Sequence, residues 1–117
     1  MSKHTNPDFL NGVPELLVLQ LLSRRAMYGY ELVRAIEQSS KQVLEFGEGC
    51  IYPVLHRLEK DGHLASLRET VGGRSRVVYR LTPSGRKRLQ GRVAAWRGIV
   101  GAVDQVLLGA KHGKPAV

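Results

Sequence analysis

The chain has a single cysteine, Cys50, so no disulfide can form within it, which suits a reducing, cytoplasmic setting. It has no run of about 18 apolar residues, which removes a membrane-spanning helix. The first nine residues lack the apolar stretch of a secretory signal and read as a short polar arm. His4, His56, His63 and His112 follow no metal-ligand spacing and have no partner cysteines, which argues against a zinc site. There is no Ser/His/Asp arrangement, carboxylate pair or phosphate-cradling glycine motif, so neither a catalytic residue nor a cofactor is expected. Acidic residues are scarce where basic ones are dense. Residues 1–63 carry seven Lys/Arg against eight Asp/Glu, whereas residues 64–117 carry eleven against two, and Glu69 is the only acid between Arg68 and Arg97.

What is present begins with that basic block, which accounts for the net charge of +8. Such a block suits a polyanion, either nucleic acid or an anionic membrane surface, but it also describes a solvated face. The order of elements separates these readings. The 43 % of hydrophobic residues suffice for one core in a chain of 117. Val13–Ser23 is apolar on nearly every side of a helix and must be buried, with Asn11 or Gly12 as cap and Pro14 in the first turn. After a short connection through Met27, a second helix runs from Tyr28 to about Ser39 on the stripe Leu32, Val33 and Ile36.

A third helix spans about 48–61. Ile51, Val54, Leu55 and Leu58 share one face, Gly49, Pro53, His56 and Lys60 lie opposite, and Tyr52 and Arg57 flank them. Pro53 is tolerated near the start, where few amides have partners to lose. Leu64–Leu81 reads as a β-hairpin turning at Gly72-Gly73, because a tight hairpin needs positive φ. Thr82-Pro83 then opens a last helix to about Leu108. Leu89, Val93, Trp96, Val100, Val103 and Leu107 recur in it at alternating spacings of four and three. That is a narrow seam that seeks another helix, either in a second copy or in the chain's own domain.

The fold class is therefore mainly α with a small β-hairpin (α+β). A winged helix-turn-helix occupies residues 1–82, with its wing at about 64–82, followed by a dimerisation helix at 83–109 and a tail at 110–117. In this geometry the third helix enters the major groove of duplex DNA and the hairpin follows the backbone. Arg68, Arg74, Arg76, Arg80, Arg86, Lys87 and Arg88 supply phosphate partners, while Tyr52, His56, Arg57 and Lys60 are placed to read bases. Tyr28 and Gly49 complete the set expected to face DNA.

Three blocks also carry a resemblance. YGYEL (Tyr28–Leu32), GEGCIYPVLHRLEKDGHL (Gly47–Leu64) and RVVYRLTPSGR (Arg76–Arg86) resemble the PadR family of transcriptional regulators in content and order. The resemblance implies a winged-helix homodimer, usually a repressor, of the compact branch with one short C-terminal helix. It puts Tyr52 and Pro53 on the DNA-facing helix. Gly49-Cys50-Ile51 departs from the more frequent Gly-Thr-Leu and loses a hydroxyl that could serve a phosphate or a cap. Cys50 itself reads as a small packing residue or as a redox-sensitive thiol at a helix start. Trp96 reads as a seam residue or, with its symmetry mate, as the wall of a cavity stacking a planar aromatic effector, an option the resemblance supports. Two other functions fit the basic half or the last helix alone: a non-specific architectural nucleic-acid binder, and a protein-interaction module.

Overall fold

A computed structural model describes residues 5–109, with side chains from residue 12 onward. The expected arm and tail at 1–4 and 110–117, including His4 and His112, lie outside the described residues. The elements are α1 (Thr5–Leu22), β1 (Met27–Tyr28), α2 (Gly29–Ser39), α3 (Glu48–Lys60), β2 (Leu64–Val71), β3 (Arg74–Leu81) and α4 (Pro83–Leu108).

Helix α1 is the centre of the core. Val18, Leu19 and Leu22 are buried among Leu32, Val33 and Ile36 of α2 and Ile51, Val54, Leu55 and Leu58 of α3. The four apolar positions of α3 are thus spent inward, and its opposite face is left to solvent. Two features of α1 correct the sequence reading: residues 5–9 are helical, not an arm, and Pro14 lies inside the helix instead of in its first turn. Starting a helix costs a nucleus, whereas carrying one through a poor former such as Gly12 costs only about 1 kcal/mol. Gly12 is also where the Arg92 guanidinium of α4 lies against α1.

The sheet is antiparallel in the order β1-β3-β2. Its third strand, β1, is absent from the sequence reading, which took Met27 as connection and Tyr28 as helix. Met27 pairs with Tyr79 and Tyr28 with Val78, after which Tyr28 serves as N-cap of α2. Among the described residues the edge of β3 beyond Val78, toward Arg74, has no strand beside it. In the hairpin Glu69 faces Arg76 and Val71 faces Arg74, and the turn glycines take φ of 58° and 80°. Alternation sends Tyr79 into the core and Arg80 to the other face.

Helix α4 starts where Thr82 accepts a hydrogen bond from the Gly85 N–H at 3.0 Å and donates its own hydroxyl to the Gly62 carbonyl at 2.7 Å. Its first turns pack on α1, with Leu89 buried. The rest is largely exposed and extends a molecule of 67 × 28 × 27 Å. Among the described residues no helix is long and apolar enough to cross a membrane.

Candidate nucleic-acid interface

The exposed face of α3 presents Gly49, Pro53, His56 and Lys60 to solvent, beside the exposed Cys50. Tyr52 leans the other way, toward the start of α2. Its ring is half-buried against Gly29, where a Cβ would lie 2.6 Å from Cε1 and 2.7 Å from the hydroxyl oxygen. The His56 ring follows it at 6.2 Å between centroids, tilted by 46°. The position of the Tyr52 ring is thus set by the missing side chain at Gly29.

The wing closes on this face from the open edge of β3. Tyr28, Tyr52, His56, Arg74, Arg76 and Val77 line one groove between α3, the start of α2 and the hairpin. The Arg76 guanidinium sits 4.9 Å from the centroid of the Tyr28 ring, a cation–π contact. The Tyr28 hydroxyl donates to Glu69 Oε1 at 3.0 Å, and this bond, then burial, raises the phenol above its ordinary range. Arg68 donates from Nη1 to Ser75 Oγ at 3.0 Å and braces the hairpin near its tip. The groove combines cations with aromatic faces; the acid in its lining, Glu31, accepts from the Tyr28 N–H at 2.9 Å and from Arg25 at 3.3 Å, and Glu69 beside it is occupied by the Tyr28 hydroxyl. Such a combination has the chemistry that suits a phosphate backbone and the base edges beside it.

The structure therefore brings five of the ten sequence-selected residues together: Tyr28, Tyr52, His56, Arg74 and Arg76. Gly49, Pro53 and Lys60 stand on the same helix outside the groove. Arg80 lies at the base of the hairpin on the face away from the core. Arg57 stands apart from them: its guanidinium is bonded to Glu15 Oε1 of α1 at 3.0 Å, while half of its side chain stays exposed. A helical wheel gives a direction for Arg57 but not the acid waiting there.

Glu15 is the residue that sequence reasoning missed. Only 3 % of its side chain is exposed, and it takes three arginines: Arg57, Arg88 through Nε at 2.7 Å, and Arg92 through Nε at 3.5 Å. Burial opposes its charge, but hydrogen bonds from Arg88 and Arg57 and the nearby charge of Arg92 prevail and hold the carboxyl below its ordinary value. The same bond raises the Arg88 guanidinium. Arg88 is thus tied to Glu15 although 42 % of its side chain is exposed. The available signal was an acid within the mostly apolar stretch 13–23 of α1, where a charge demands partners.

The α4 seam is divided. Leu89 belongs to the chain's own core, so it is not open to a second copy, and Val93 packs partly against that core. From there the stripe opens: Trp96 is 36 % exposed, Val103 49 % and Leu107 75 %, joined by Val106 and Leu108, which the spacing did not select. Trp96, Val93 and Val100 also form a groove with Leu16 and Leu17 of α1, a contribution invisible in the heptad pattern. Among the described residues no cluster of His, Cys, Asp or Glu could hold a metal ion.

Comparison with known proteins agrees with this architecture. The sequence model of the transcriptional regulator PadR-like family matches residues 18–91. The transcriptional regulator Rv3488 of Mycobacterium tuberculosis is 37 % identical over 82 residues, covering 70 % of this chain and 74 % of that protein. The transcriptional regulator YqjI of Escherichia coli is 35 % identical over 82 residues, 70 % of this chain but 38 % of its own length. Among solved structures, a transcriptional regulator from Clostridium thermocellum superposes with a TM-score of 0.78 at 25 % identity, covering 87 % of this chain and 97 % of that one. A PadR family transcriptional regulator from Eggerthella lenta gives 0.74 at 31 % identity, covering 86 % and 87 %.

Proposed function

The chain belongs to the PadR-like family of transcriptional regulators, and from that premise we propose that it is a cytoplasmic, sequence-specific repressor that binds an operator as a homodimer and is released by a small molecule. The observation that carries the reading is the groove in which Tyr52 and His56 of α3 meet Arg74 and Arg76 of the wing. The wing supplies affinity, because its arginines displace counterions from phosphates without regard to sequence. The exposed face of α3 supplies discrimination through Tyr52, His56 and Lys60, with Gly49 and Pro53 permitting close approach of the helix to the duplex. Arg80 adds to the field of the wing from its outer face.

Dimerisation falls to the distal part of α4, where Val103, Val106 and Leu107 are exposed and continue the stripe that Trp96 begins. The groove between α1 and α4 is suited to a planar aromatic effector stacking on Trp96. Trp96 is the only tryptophan of the chain, so its fluorescence reports on that groove alone.

Binding to duplex from upstream of the protein's own gene, compared with random duplex over a range of salt, tests the reading. A repressor prefers the upstream sequence at every salt concentration while both affinities fall steeply. Equal affinity for the two duplexes identifies an architectural binder. Loss of operator binding, together with quenching of Trp96, on titration with flat aromatic cations or phenolic acids supports the effector. No quenching by any of them removes it.

A further inference from the structure

Glu15 touches neither the groove nor the open stripe of α4, yet it is the most heavily engaged acid among the described residues. Its Oε1 accepts from Arg57 Nη2 at 3.0 Å and from Arg88 Nη2 at 3.3 Å, and its Oε2 accepts from Arg88 Nε at 2.7 Å. Arg57 belongs to the recognition helix α3, whereas Arg88 and Arg92, one turn apart, belong to α4. A carboxylate in α1 therefore ties the helix that reads DNA to the helix that joins two copies. A buried charge is costly unless its partners hold it in good geometry, so this arrangement resists rotation of either helix about α1.

We propose that Glu15 is a positioning residue for operator recognition: by bonding Arg57 and Arg88 at once it sets the angle between α3 and α4. In doing so it sets the separation of the two recognition helices in the dimer. The inference rests on the reading of a DNA-binding dimer. Two-fold dimers of this kind select half-sites about one helical turn apart, roughly 34 Å, so an angular error in each protomer appears as a wrong spacing. Arg57 is the informative member of the cluster. It lies on α3 and bonds Glu15 of α1, so removing it breaks the tie to α3 and leaves Glu15 with Arg88 and Arg92.

The test begins with selection of an operator from randomised duplexes by the full-length protein. Affinities are then measured for that operator, for versions with one base pair added or removed between the half-sites, and for a single half-site. The wild-type protein is expected to lose about tenfold or more with either altered spacing, and R57M and E15Q less than about threefold, with single half-site affinity unchanged in both. R57M keeps the test decisive should E15Q fail to fold. Wild-type spacing preference in R57M overturns the inference and leaves the dimeric reading standing, as does a loss of single half-site affinity, which would make Arg57 a DNA contact. Absence of any spacing preference in the wild type overturns the dimeric reading, and the inference with it.

Discussion

At Gly85 a side chain has nowhere to go, because the His63 backbone carbonyl occupies the space where a Cβ would stand. Gly85→Ala is expected to destabilise the protein by about 2–3 kcal/mol in urea unfolding, since backbone cannot step aside as a side chain does. Gly12 makes the contrast. There the obstacle is the end of the Arg92 side chain, 32 % exposed, which can swing toward water, so Gly12→Ala is expected to cost under about 1 kcal/mol in the same assay. Glu15 is a second point where one residue governs stability. Its carboxyl titrates below its ordinary value in the fold, so the unfolded chain takes up the proton first on acidification. The stabilisation is complete above about pH 4.5 and is lost as the pH falls through the lower, folded value. Melting temperatures of wild type and Glu15→Gln should differ most above pH 4.5 and converge on further acidification; a constant difference would contradict this.

At the scale of elements, the division of binding proposed between α3 and the wing gives each its own signature. Replacing Arg74 or Arg76 by alanine is expected to weaken binding to all duplexes alike and to reduce the salt slope by about one unit per arginine. Gly29→Ala acts differently, because its Cβ forces the Tyr52 ring away from the start of α2. It should lower affinity for the operator while leaving random duplex nearly unaffected. Much of these elements was legible in the sequence. The four-residue apolar set of α3, Gly72-Gly73 and Thr82-Pro83 are local signals, and each marks an element that is present in the structure. What was not legible depends on distant partners. The two-residue β1 is too short to show alternation and exists only because β3 offers it Val78 and Tyr79. The Arg57–Glu15 pair was not legible either, because periodicity shows which way a side chain points but not that Glu15 of α1 lies there. Leu89 fits a seam by spacing, yet the chain's own core claims it first.

For the whole molecule, the exposed apolar residues of α4 are the feature that a monomer in water leaves unsatisfied. Val103→Glu with Leu107→Glu should yield a folded monomer by sedimentation, with operator affinity reduced by at least about tenfold, since two half-sites are no longer held by one particle. A dimer that persists would place the interface elsewhere. The hairpin carries a further consequence. Among the described residues, β3 beyond Val78 and the outer edge of β2 have no neighbouring strand, and Leu67 and Val71 are exposed on the outer face. Rows of free backbone donors and acceptors beside apolar side chains invite strand addition between separate molecules. The arginines of the wing give neighbouring hairpins like charge, which opposes such addition in free solution, a role separate from the phosphate binding proposed for them. Neutralising Arg74 and Arg76 together should therefore lower the concentration at which the protein precipitates, and duplex DNA should not rescue a wing that no longer binds it.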